Sequence, residues 1–256
     1  MESNVISRRS LLSLSLAGVA ALGLSPLLAR ASEASAAKDA AAASDQGAIT
    51  EPAGTPEAAA QLMAALNGTY IELFPVLNQF PEYWEEVAAS IVGEADAKAT
   101  TEMLMGACAG EIFGPEAVEA YADDPESAVF DCHFPEGVEK LTFADGTISG
   151  AGPDGAAVFE HAYEFLCYAP SLDFYVFQTA DEDAGEFRYF VPRSDNTTDT
   201  YHLEFRFGSD LDDLLSLYTG AYAYAMPAAI DENWDEDLAK KGIELFVTEN
   251  LTPAEE

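Results

Sequence analysis

Apolar and polar residues alternate with a period of two from near residue 128 to residue 207. This is the period of a half-buried β-strand. It marks six strand candidates, at 138–143, 147–149, 157–168, 172–179, 186–191 and 200–207. The links between them are short and rich in turn residues, as in Ala144-Asp145-Gly146. Consecutive short strands joined by tight turns predict an antiparallel meander, and closure into a small barrel would protect its edges.

Helical segments lie on both sides of the strand region. Segments 56–66 and 95–109 have helical character, and Pro81 opens a further helix in which Trp84, Val87, Ala88 and Ile91 follow helical spacing. A short strand is expected at 69–74. Two helices end the chain, one capped by Ser209 and one over 235–247. The expected fold class is therefore α+β, an antiparallel barrel with N-terminal and C-terminal helices.

The first 36 residues have the features of a twin-arginine export signal. The pair Arg8-Arg9 precedes a moderately apolar run over 11–28, and small-x-small sites suited to cleavage follow it. The alternative is a membrane anchor, but serines and a proline interrupt the run, which favours cleavage. Residues 37–57 lack bulky apolar side chains and predict a disordered linker. Residues 58–256 are then one domain, with no later membrane-spanning segment and an extracytoplasmic location (periplasmic, cell-surface or secreted).

The charge balance restricts the class of partner. The chain has 11 basic and 46 acidic residues, a formal net charge of −35. Few groups are present to neutralise phosphates, so nucleic acid and anionic membrane surfaces are poor partners. Cations are plausible partners. The competing explanation for the acidity is solubility or adaptation to a saline medium.

Three cysteines occur in a chain predicted to reach an oxidising compartment. Cys132 and Cys167 both lie in strand-like stretches, so a disulfide between them is one option. Cys108 falls on a helical face and is expected to be a small buried apolar residue. No Cys-x-x-Cys sequence occurs, which excludes a thiolate zinc knuckle.

The strand candidate at 200–207 carries the clearest candidate site. His202, Glu204 and Arg206 share one face of it, opposite Leu203 and Phe205. An imidazole and a carboxylate two residues apart on one face have the spacing that two ligands of one metal need, and zinc accepts both. The alternative is a polar strand face in which Glu204 pairs with Arg206. His133 and His161 are weaker candidates. The sequence patterns of common catalytic sites are absent, so we do not expect an enzyme.

The segment 201–215, a strand with His-Leu-Glu followed by Gly208-Ser209 and a helix, resembles the ZinT/YodA family. Weaker matches lie at 66–71 with the helix of Trp84, and at 187–190. The resemblance covers roughly residues 66–230. It implies a calycin, lipocalin-like barrel and a periplasmic zinc-recruiting role; related domains are fused to zinc-uptake solute-binding proteins. A component of a zinc-uptake transporter is then a candidate partner.

The chain departs from the pattern of this family at the metal ligands. The family binds zinc through three histidines, and His202 matches the first member of its His-x-His pair. Glu204 stands where the second would be, and Arg193 stands at the upstream position of the remaining ligand. Arginine cannot ligate a metal because its guanidinium stays protonated. The resemblance therefore implies either a site of His202 plus carboxylates, or a lost site in which Arg193 pairs with Glu204.

The leading hypothesis from the sequence is an exported metal-binding protein that takes a divalent cation, zinc first, through His202 and Glu204. Two other functions remain open. One is a barrel that binds a small organic ligand in a cavity lined by aromatic residues, and the other is a non-catalytic interaction domain that has lost its metal site. The aromatic residues considered for such a cavity are Phe159, Tyr163, Phe165, Tyr168, Phe174, Tyr175 and Phe177.

Overall fold

The computed structural model describes residues 51–106, 132–193, 202–218 and 226–251. Its centre is a closed barrel of eight strands, in which each strand pairs antiparallel with its neighbours in the chain and the last closes on the first. The strands are β1 (Gly68–Glu72), β2 (Lys140–Ala144), β3 (Thr147–Ala151), β4 (Ala157–Ala169), β5 (Phe174–Thr179), β6 (Tyr189–Pro192), β7 (His202–Gly208) and β8 (Ala228–Asp231). An up-and-down antiparallel barrel of this size is the calycin, lipocalin-like architecture. The predicted fold class is confirmed.

Six helices of the described ranges flank the barrel. They are α1 (Pro56–Ala65), α2 (Leu73–Leu77), α3 (Pro81–Val92), α4 (Glu94–Gly106), α5 (Leu211–Ser216) and α6 (Glu236–Leu251), with a 3₁₀ turn at Gly185–Phe187. In these ranges, no helix has both the length and the apolar character needed to cross a bilayer.

Local chemistry explains where several helices begin. Thr55 caps α1 by accepting the Ala58 N–H at 3.2 Å, and Pro56 occupies the first turn. The cap of α5 is Asp210, whose side chain accepts the Asp213 N–H, so the predicted cap at Ser209 is wrong by one residue. Residues 51–57, the end of the segment expected to be a linker, form a turn and the start of α1.

Three element predictions need correction. The predicted strand 69–74 ends at Glu72, where α2 begins. The candidate 186–191 divides into the 3₁₀ turn and β6. Strand β8 was not predicted, because Ala-Ala-Ile-Asp is short and buried at three of its four positions, and so shows no alternation.

Large aromatic side chains fill the barrel interior. Inward-facing residues of the strands join one buried cluster with Leu62 and neighbouring residues of α1. Ring centroids in this cluster lie as close as 3.9 Å, between Phe159 and Phe187. The interior is therefore a packed core, as expected for a small barrel. Of the aromatic residues considered for a ligand cavity, four are buried members of this core: Phe159, Tyr163, Tyr175 and Phe177. The organic-ligand hypothesis stays a prediction.

The outer wall of the barrel is covered in two places. Outward-facing Ile71 and Ile230 pack in a second buried cluster with residues of α2, α3, α4 and α6. A third cluster joins Val176 and Val191 of the wall to Leu214 of α5 and to Tyr218. These helices bury the apolar outer positions of β8, β1, β5 and β6. Strand β7 runs between the two covered regions.

The disulfide between Cys132 and Cys167 that the sequence left as an option does not form. Cys132 is disulfide-bonded, whereas Cys167 is a free thiol whose pKa is raised by burial. The segment next to Cys132 contacts Glu72, at the carboxyl end of β1. Cys167 lies near the carboxyl end of β4, which runs in the opposite direction to β1. The two cysteines therefore lie towards opposite rims of the barrel. The prediction for Cys108 falls outside the described residues.

Candidate functional site

His202 and Glu204 lie on the outer wall of the barrel. In β7 the side chains of Leu203, Phe205 and Phe207 belong to the barrel core, so the intervening positions face outward. The neighbours of the pair on β8 are Ile230 and Ala228, which belong to the helix-covered cluster. The site therefore lies beside a covered part of the wall and not in the barrel interior.

The two side chains lie close to each other and are largely shielded from solvent. The distance from His202 Nε2 to Glu204 Oε1 is 3.8 Å, and the side chains are 15% and 14% exposed. Two donors bound at about 2.0–2.2 Å to one tetrahedral zinc ion lie about 3.3–3.6 Å apart. The pair is therefore close to this spacing but slightly wider than it.

Arg193 is the third member of this group. Its Nη1 lies 2.6 Å from Glu204 Oε2, and its side chain is 17% exposed. The main chains are also joined, because the Arg193 N–H donates to the Glu204 carbonyl at 2.9 Å across the pairing of β6 with β7. Register thus places a guanidinium opposite the carboxylate. We refer to Arg193, His202 and Glu204 as the outer-wall triad.

Arg206, the other positively charged residue on this strand face, is buried and contacts Leu217 and Tyr218. It is 1% exposed, donates from Nη1 to the Leu217 carbonyl at 2.8 Å, and lies 4.9 Å from the centre of the Tyr218 ring. Burial raises the pKa of the Tyr218 hydroxyl. The positive charge of Arg206 lowers this pKa by a smaller amount, and the negative charge of Glu204 raises it. The 2.6 Å ion pair of Glu204 is formed with Arg193. Sequence reasoning missed the role of Arg206 in holding residues 217–218, because nothing local marks that contact.

The other two histidines lie with different carboxylates. His133 Nδ1 is 3.3 Å from Glu72 Oε2, and Glu72 Oε1 accepts the Phe134 N–H at 2.6 Å. His161 Nδ1 is 2.7 Å from Asp181 Oδ2, and its ring stacks on Phe159 in the barrel interior. Across the described ranges, no three or more His, Cys, Asp and Glu side chains are grouped so as to hold a metal ion.

The donor set of the triad therefore matches a weak cation site better than a structural zinc site. A structural site supplies four protein ligands and a catalytic site three, whereas the triad supplies one imidazole and one carboxylate. The guanidinium beside them opposes a second positive charge by Coulomb repulsion. Any cation held here would need water molecules to complete its coordination.

No family model matches the chain, and no curated protein matches it. Among solved structures, the chain is similar to the Zn(II)-bound ZinT-like domain of Streptococcus pneumoniae AdcA, at 14% identity and a TM-score of 0.42, covering 71% of this chain and 87% of that domain. It is also similar to Zn(II)-bound AdcA from the same organism, at 15% identity and a TM-score of 0.40, covering 71% of this chain but only 34% of AdcA. The fold class itself rests on the strand order and closure of the barrel.

Proposed function

We propose that this chain is an exported, non-catalytic barrel protein that binds a divalent cation, zinc first, at His202 and Glu204. The supporting observation is the 3.8 Å spacing of His202 Nε2 and Glu204 Oε1 on one largely shielded strand face. The formal net charge of −35 raises the local concentration of cations around the molecule. The partner that we propose to receive the cation is a component of a zinc-uptake transporter.

Calorimetric titration of the metal-stripped protein with zinc tests the proposal. We expect one binding event in the wild type and none in a His202→Ala, Glu204→Ala double variant, because the variant removes both donors. A His133→Ala, Glu136→Ala double variant is the matched control: it loses the same two kinds of group elsewhere and should retain wild-type binding. Equal heats from the wild type and the His202, Glu204 variant would end the proposal.

Export is the other part of the proposal, and it depends on residues 1–36. If they form a cleaved twin-arginine signal, Edman sequencing of the protein recovered outside the cytoplasm should begin close to residue 37. Replacing Arg8-Arg9 with two lysines should leave the protein in the cytoplasm. Unchanged export of that variant would contradict the twin-arginine route.

A second function is favoured by one specific contact. The 2.6 Å ion pair between Arg193 and Glu204 satisfies the carboxylate without any metal. This arrangement supports a non-catalytic interaction domain that keeps the barrel and binds no metal. The same titration separates the two candidates, because an interaction domain of this kind gives no zinc-dependent heat and no rise in melting temperature when zinc is added.

A further inference from the structure

Within the outer-wall triad, the guanidinium of Arg193 supplies a positive charge next to the carboxylate of Glu204. The two oxygens of Glu204 face different partners: Oε2 lies 2.6 Å from Arg193 Nη1, and Oε1 lies 3.8 Å from His202 Nε2. All three side chains are more than four-fifths shielded from solvent. Charge-assisted contacts in such a setting are stronger than exposed ones, because solvent screens them less. Glu204 is therefore compensated in the absence of any bound ion.

The main chain of Arg193 is held by pairing on both sides. Its amide bonds to the Glu204 carbonyl on β7, and an isolated bridge joins it to Phe174 on the other side. These main-chain bonds do not involve the guanidinium, so opening the ion pair requires movement of the side chain only. The barrel wall need not deform when the ion pair opens.

We infer that Arg193 acts as a tethered competitor of the bound cation, closing the site at Glu204 until a divalent ion displaces its guanidinium. This inference rests on the proposed function. A divalent ion 2–3 Å from Glu204 and a guanidinium in contact with the same carboxylate repel each other, so binding of the ion disfavours the closed ion pair. The site should therefore bind a divalent ion more weakly than it would without Arg193, and release it readily. When no ion is bound, Arg193 neutralises the charge of Glu204.

Arg193→Met tests the inference, because methionine keeps much of the side-chain length and removes the charge. Zinc titration of the metal-stripped variant should show affinity raised by about tenfold or more, as expected for removal of a close like charge in a partly buried site. The melting temperature of the metal-free variant should fall below that of the wild type, because Glu204 loses its partner. Added zinc should then raise it by more than it raises that of the wild type.

Arg188→Met is the matched control, since Arg188 is exposed, sits just before β6 and loses the same charge. It should change neither zinc affinity nor the metal-free melting temperature. If Arg193→Met binds zinc with unchanged or lower affinity while the wild type binds, the competitor role is overturned and the proposed function stands. If neither protein binds zinc, the proposed function falls and the inference falls with it.

Discussion

Replacing Phe190 with alanine should lower the free energy of unfolding by about 3–5 kcal/mol. Phe190 is fully buried in the barrel core, where close packing limits how far neighbouring side chains can move into the space that its ring occupies. Its ring lies 5.1–6.2 Å from five other rings, those of Phe143, Tyr163, Phe177, Phe205 and Phe207. The substitution therefore removes both buried apolar area and a set of ring contacts. We expect a large cavity that relaxes only in part.

Urea denaturation followed by circular dichroism measures this effect. Leu166→Ala is the control, because Leu166 is 42% exposed on the outer face of β4. Its free energy of unfolding should stay within about 0.5 kcal/mol of the wild type. A loss below about 1.5 kcal/mol for Phe190→Ala would mean that the barrel interior collapses around the missing ring, and that it is not close-packed.

Replacing Trp84 with alanine should also lower the free energy of unfolding by about 3–5 kcal/mol. Trp84 is fully buried in α3, in the cluster that packs the helices on the outer wall of the barrel. Its Nε1 donates to the Leu77 carbonyl at 3.0 Å, and its ring meets Phe246 of α6 at a centroid distance of 5.7 Å. The substitution removes the side chain that joins α2, α3 and α6. It also leaves a buried carbonyl without this donor.

Trp84→Phe separates the two parts of that loss. A phenyl ring restores most of the packing but not the hydrogen bond, so its destabilisation should be less than half that of Trp84→Ala. Urea denaturation of both variants, followed by circular dichroism, gives the comparison. Equal losses in the two variants would show that the Leu77 hydrogen bond, and not packing, dominates. Because the helices cover the neighbours of His202 and Glu204 on β8, zinc titration of Trp84→Phe should remain at the wild-type value if that cover is intact.

Most predictions that rest on local pattern agree with the structure, apart from the ends of some elements. Alternation along 138–207 predicted the strands, and the same alternation assigned Leu203 and Phe205 to one face of β7 and His202 and Glu204 to the other. The helical spacing of Trp84 and Ala88 placed both in a buried cluster. These features are local because side-chain direction follows directly from the period of the backbone.

Predictions that needed distant residues to be brought together were less successful. Strand β8 is defined by pairing with β1 and β7, and its four residues carry no periodic signal of their own. The pairing of Cys132 with Cys167 that the sequence left as an option does not form, because the two cysteines have similar local patterns but lie near opposite rims. Arg206 shares a strand face with Glu204, but it is buried against Leu217 and Tyr218.

The amino-acid sequence by itself determined the α+β class, the strand periodicity, the acidic character and the shared face of His202 and Glu204, because each depends on composition or on neighbours in the chain. The tertiary structure alone decided that the barrel interior is filled with rings and that the candidate pair lies on the outer wall. It also decided between two arrangements that the family resemblance left open, since Arg193 and Glu204 form an ion pair at 2.6 Å. Those outcomes depend on strand register and barrel closure, which join residues far apart in the chain.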